Sequence, residues 1–203
     1  LLRDFQDMIV GLLTLFVQRF CYSGDLGYDI YCHTMDQRAL WHALWSAGNA
    51  FDLKPFGMRA MMSLRLDKFF GSWLREFSPD YTAGETGMDR FISWRKDTDF
   101  IGKSTVFAER EAGSARALVA FEVDAGDADV VAYEPVWIDG VVKGFCTSGG
   151  YSHYAEKSIA LALVPREHSV NGQEAEIEIL GQMRKARVIT TPLFDADGVR
   201  MRG

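Results

Sequence analysis

Cysteine is scarce in this sequence and basic charge is outnumbered. Three cysteines, Cys21, Cys32 and Cys146, stand among 203 residues. The count is odd and lacks C-x-x-C spacing, which argues against a disulfide framework or a cysteine-rich zinc site and predicts a reducing compartment, the cytoplasm. Cys21 and Cys32 are expected to be a pair of buried thiols. A net charge of −6 argues against nucleic acid or an anionic membrane as partner. Long apolar runs are missing too. The most apolar stretch, MIVGLLTLFV at residues 8–17, is too short for a bilayer and is flanked by Asp4, Asp7 and Arg19. It carries no basic leader or small-residue cleavage site. A buried helix or strand is expected there.

The signatures of several chemistries are also absent. Four histidines, His33, His42, His153 and His168, are scattered without H-E-x-x-H or Cys-His spacing, so no metal site is assigned. No G-x-G-x-x-G occurs, and GKST at 102–105 lacks the upstream glycine of a phosphate loop. There is no G-x-S-x-G elbow, and no histidine lies near Cys146 in the sequence to activate it. Residue types alone therefore assign no catalytic residue.

What is present suffices for a substantial core: hydrophobic residues make up 48% and aromatics 13%. Residues 17–22 and 27–32 read as two strands joined through SGDLG, where glycine supplies a turn. On the second strand Tyr28, Ile30 and Cys32 share one face, Asp29 and Tyr31 the other. By residue type this is either a solvated turn or a site in which a carboxylate accepts paired N–H donors while a tyrosine ring packs alongside. Thr34 and Gln37 have capping-box spacing, and Leu40, Ala43, Leu44 and Ala47 follow at helical period as far as Gly48. Trp41 and Trp45 read as packing residues. A second helix is expected from Lys54-Pro55 to about Gly71, buried on much of its circumference. Arg65 within it requires a partner, either a structural ion pair or a ligand it clamps.

Residues 71–105 read as loop. From about 115 the period changes, and ARALVAFEV, EPVWID, VVKGFCTS, SIALALVP, EAEIEIL and KARVITT alternate or run apolar between glycine-bearing turns at DGVV and LGQM. That pattern predicts a small antiparallel barrel or sandwich. The boundary is expected near 105–114, dividing the chain into 1–110 and 111–203.

Taken in order, these segments resemble one family. CYSGDLGYDIY is similar to the Y-x-G-E-x-G-[YW]-E-[IL] segment of the glycine-cleavage T-protein family, the folate-dependent aminomethyltransferases. SLRLDKFFGSW resembles its S-L-R-[LM]-E-K/A-G stretch, with an ending closest to the dimethylglycine and sarcosine dehydrogenase branch. SPDYTAGETGMDRFI, FIGKSTV and GFCTSGGYSHYAEKSIALALVP match further blocks, and RKARVITTPLFDADGVRMRG resembles the barrel's ending. The K-G-C-[YF]-x-G-Q-E motif of the iron–sulfur assembly branch is absent.

The resemblance implies an α+β fold, a partial folate-binding aminomethyltransferase-like domain followed by a C-terminal β-barrel. It implies tetrahydrofolate as cofactor, accepting a one-carbon unit from a small methylamine-type or aminomethyl donor. Tyr22 and Asp29 match the family's pterin-contacting tyrosine and glutamate, although Asp29 is one methylene shorter. Asp25 matches a glutamate of the turn whose role is taken as structural. The arginine preceding the S-L-R stretch aligns with Met61; Arg59 lies nearby, and Arg59 and Arg65 are the supporting candidates. The family's catalytic aspartate belongs to an N-terminal half expected to precede Leu1, so a non-catalytic interaction or regulatory module of the same fold stands as the alternative. A homodimer, or the missing half, is expected to cover residues 8–17.

Overall fold

The first apolar run turns back on itself. The computed structural model describes residues 5–10 and 13–203, in which β1 (Phe5–Val10), β2 (Leu13–Arg19) and β3 (Tyr28–Tyr31) pair antiparallel in that order. The expected strand at 8–17 is thus a hairpin, but it is not buried. Ile9 is 78% exposed, and Leu15 is the one buried residue among those described in the sheet. Apolar side chains favour burial, but only a facing surface provides it. The β2–β3 loop, residues 20–27, is closed by the Phe20 N–H donating to the Gly27 carbonyl at 3.1 Å. A Cβ at Gly27 would lie 2.6 Å from the Phe20 carbonyl oxygen, so only glycine lets the loop ends meet.

Helix α1 (Gln37–Gly48) appears where its period predicts. The expected Thr34–Gln37 capping box does not form: Thr34–Asp36 is a 3-10 turn, and no side chain caps α1. Helix α2 (Met58–Asp67) is shorter than its apolar text suggests. Met58 is 69% exposed, and burial is confined to Arg65, Leu66 and Asp67 at its end. There the Phe70 N–H donates to the Arg65 carbonyl at 3.0 Å and the Phe69 N–H to the Leu66 carbonyl at 2.9 Å. This is a Schellman stop, with Phe69 at φ 56 in the left-handed position that usually takes glycine.

The chain divides into two compact units, one running to Leu64 and taking in Asp197–Gly203, the other Arg65–Ala196. In the second, irregular chain leads to α3 (Lys103–Ala112). Six strands follow: β4 (Arg116–Val123), β5 (Pro135–Ile138), β6 (Val141–Ser152), β7 (Lys157–Pro165), β8 (Glu174–Ile179) and β9 (Gln182–Ile189). They close an antiparallel barrel in the order β4-β7-β6-β5-β8-β9, and each grows from one of the alternating runs. Asp139-Gly140 (φ 52 and 74) and Leu180-Gly181 (φ 50 and 78) are the two-residue turns of its hairpins. Left-handed angles at both positions match the twist of the strands.

Phe121, Val136, Ile177 and Val188, all fully buried, fill the barrel. On its outer wall Leu66 packs with Ala120, Ile159 and Leu161, joined by Phe69 and Leu193. A Cβ at Gly149 would sit 2.3 Å from the Val130 carbonyl oxygen, and backbone cannot yield as a flexible side chain does. Gly149→Ala is therefore expected to destabilise the barrel by about 1–3 kcal/mol, while Gly57→Ala, with no atom within 4 Å, leaves the thermal midpoint unchanged. Thermal denaturation followed by circular dichroism checks both.

Candidate functional site

Strand register fixes what the hairpin presents. Arg19 lies opposite Tyr28, Gln18 opposite Asp29 and Phe16 opposite Tyr31, and directly paired residues share a face. One face therefore carries Phe16, Gln18, Asp29 and Tyr31. The rings of Phe16 and Tyr31 are 5.7 Å apart, and the Tyr31 hydroxyl donates to Gln18 Oε1 at 3.4 Å. Asp29 is exposed on this face. Tyr22 lies in the loop rather than on a strand, half-buried, its ring stacked on Phe20 at 6.4 Å.

The two acids of the segment have different fates. Asp25 is taken up by Arg200, 2.6 Å away. Nearby, Arg19 donates to the carbonyls of Met201 and Arg202, so the loop is tied to the last residues of the chain. Among the described residues nothing pairs with Asp29, and its carboxylate is open on the strand surface. Cys21 and Cys32, expected to be buried, are half-buried.

Arg59 is exposed near the start of α2. Arg65 belongs to the second unit, where it is one half of a buried ion pair. Its Nη1 lies 3.6 Å from Glu76 Oε2, and the two side chains are 4% and 0% exposed. Nη1 also donates to the Phe70 carbonyl at 2.9 Å, and Nη2 to Ser148 Oγ at 2.7 Å. Ser148 in turn donates to Glu76 Oε1, and the Ser72 N–H donates to Oε2 at 2.7 Å. Burial alone would raise the Glu76 pKa; hydrogen bonds from Ser148, Thr147 and Ser72 and the charge of Arg65 outweigh it and hold the group below its ordinary value.

A bulge makes this possible. Cys146 pairs with Ala162 and Ser148 with Leu161, so Thr147 is an extra residue that shifts the alternation of β6. Cys146 points into the core, and Ser148 meets the ion pair outside it. Sequence reasoning asked for a partner for Arg65 but did not find Glu76 or Ser148. Glu76 sits in text that reads as loop, where an acid is normally solvated.

Two further buried groups have clear physical states. Asp67 is 3% exposed and its Oδ1 has no hydrogen-bond partner. Burial raises its pKa, against the lowering effects of a hydrogen bond from Ser152 and the nearby His153. Burial also pushes the Cys146 thiol strongly up, helped by Glu134, so it is not a poised nucleophile. Among the described residues no group of three or more His, Cys, Asp or Glu is placed to hold a metal ion, and no helix is long and apolar enough to cross a membrane.

The profile of the GCVT N-terminal domain matches residues 2–96, and that of the Glycine cleavage T-protein C-terminal barrel domain matches residues 116–195. The chain is 38% identical over 184 residues to a protein named Dimethylglycine dehydrogenase, mitochondrial, of Rattus norvegicus, covering 91% of this chain and 22% of that one. It is 37% identical over 186 residues to an Aminomethyltransferase of Symbiobacterium thermophilum, covering 92% and 49%. The crystal structure of glycine cleavage system aminomethyltransferase T from Bartonella henselae shares the fold, with a TM-score of 0.81 at 23% identity over 90% of this chain and 50% of that one. The chain thus spans about half or less of the length of these relatives.

The ion pair generates a stability prediction. Glu76→Ala leaves the Arg65 charge buried without its carboxylate and is expected to cost about 3–5 kcal/mol, while Arg65→Met with Glu76→Leu costs far less. Because the Glu76 pKa is lowered on folding, its contribution is present above the ordinary glutamate value of 4.5 and is lost as pH falls through the folded value. Glu85 and Glu122, also lowered, act in the same direction. Denaturant titrations should show wild-type stability falling below about pH 4.5, with a shallower fall in the double variant. Asp67 has the opposite sign. Asp67→Asn is expected to stabilise the protein at pH 7, a gain that disappears in acid.

Proposed function

The chain belongs to the glycine-cleavage T-protein family, and on that premise we propose that it serves tetrahydrofolate-dependent transfer of a one-carbon unit, aminomethyl or methyl, from a small amine-type donor. The observation that carries this reading is the open Asp29 carboxylate on the hairpin, beside a loop whose other acid is already paired.

The reduced pterin is a flat ring system whose 2-amino and N3–H groups form a donor pair. A single carboxylate accepts both, with each charge-assisted bond worth about 1.5–3 kcal/mol. Asp29 supplies that carboxylate, and Tyr22 supplies a ring edge or face at the loop. The folate provides the nitrogen that accepts the carbon unit; these residues bind and orient its head. Arg65 has no part in this reading, since its guanidinium is used in the ion pair with Glu76. Asp25 holds the loop through Arg200 and needs no ligand. An odd cysteine count without C-x-x-C spacing fits a reducing compartment, which we read as the cytoplasm.

An exposed strand holds a ligand from one side only, so weak binding is expected, in the high-micromolar to millimolar range characteristic of about −4 to −5.5 kcal/mol. Isothermal titration with tetrahydrofolate tests this. Asp29→Ala should weaken binding by at least about tenfold. A wild-type chain that ignores millimolar folate, or an Asp29→Ala variant that binds as well as wild type, would overturn the reading.

A further inference from the structure

The geometry points to Gln18 as a specificity-determining residue that reads the 4-oxo group of the bicyclic head, an inference that rests on the folate reading above. The pterin edge carries three polar groups in a row, the 2-amino and N3–H donors and then the 4-oxo acceptor. Asp29, as an acceptor, satisfies the first two and cannot satisfy the third. A neighbour that donates is required on one side of it.

Register places Gln18 directly opposite Asp29 on the same face of the β2–β3 hairpin. Paired Cβ atoms across antiparallel strands lie about 4.5–5.5 Å apart. A carboxylate bidentate to the two donors leaves the 4-oxo oxygen next along the same edge, where a donor on the paired side chain can meet it. The amide is also oriented. The Tyr31 hydroxyl donates to Gln18 Oε1 at 3.4 Å, which occupies the carbonyl end and leaves the Nε2 hydrogens as the free donors. Tyr31 is thus a positioning residue, acting through Gln18, and the face presents acceptor, acceptor and donor to a ligand edge that reads donor, donor and acceptor.

The test compares tetrahydropterin with its 4-thioxo analogue by isothermal titration on the full chain. Sulfur at that position keeps both donors for Asp29 and weakens only the acceptor. Wild type should prefer the oxo compound by about fivefold, the net worth of one hydrogen bond. Gln18→Leu should bind the two alike, at the affinity wild type shows for the thioxo compound, and Tyr31→Phe should give an intermediate preference. Asp29→Ala should weaken both compounds equally and so keep the preference at about fivefold. If wild type binds the oxo compound but Gln18→Leu discriminates as wild type does, the role of Gln18 is refuted and the folate reading stands. If wild type binds neither compound, both fall together.

Discussion

A buried charge without its counter-charge is strongly destabilising, and Arg65 sets that constraint for the barrel unit. Its ion pair with Glu76 is almost fully withdrawn from water, where desolvation can exceed the Coulombic gain unless every remaining lone pair and proton is used. Ser148, Ser72 and the Phe70 carbonyl take up several of them. These groups come from the end of α2, from the irregular chain after it and from a barrel strand. The bulge at Thr147 is the cost of the arrangement, since an unbroken strand would turn Ser148 into the core. A second buried acid fixes the next stretch: Glu85 accepts from the Thr82 N–H, its own N–H donates to Thr82 Oγ1, and its carboxylate takes Arg116 on both oxygens. Chain that reads as loop from composition is therefore pinned to the barrel by carboxylates at two points.

How much of this was legible depends on whether a feature is local. The six barrel strands and the turns at Asp139-Gly140 and Leu180-Gly181 follow from period-two alternation and the need for left-handed angles, both written within a few residues. Burial is not local. MIVGLLTLFV and the methionines of α2 have the composition of core, yet Ile9 and Met58 are mostly exposed. Capping boxes illustrate the same limit. Thr34 and Gln37 have the spacing but no capping bond, because the chain enters α1 through a 3-10 turn. Thr82 and Glu85 form the reciprocal bonds in text that showed no helix, held there by Arg116, 31 residues further on.

The acids make the point most directly for function. Asp25, Asp29, Glu76 and Glu85 are indistinguishable by charge, and residue type alone offers no way to rank them. Partners separate them: Arg200 takes Asp25, Arg65 takes Glu76, Arg116 takes Glu85, and Asp29 is left. The sequence resemblance selected Tyr22 and Asp29 by position. It passed over Gln18, whose relevance arises only from the register across the hairpin.

An open acid in the middle of YDIY also has a plainer use. In the three-stranded sheet β3 is an edge, flanked by exposed Tyr28 and Tyr31, and a charge on such a strand deters pairing with other chains. The two roles do not compete. Repelling another strand requires only that a desolvated carboxylate be costly when it meets carbonyls and apolar side chains. Binding a pterin requires that the same carboxylate meet two N–H donors at hydrogen-bond distance. In the proposed folate reading, a group excluded from strand pairing by its charge is kept available for a small donor-rich ligand, with the Gln18 amide opposite as the proposed discriminator of its edge.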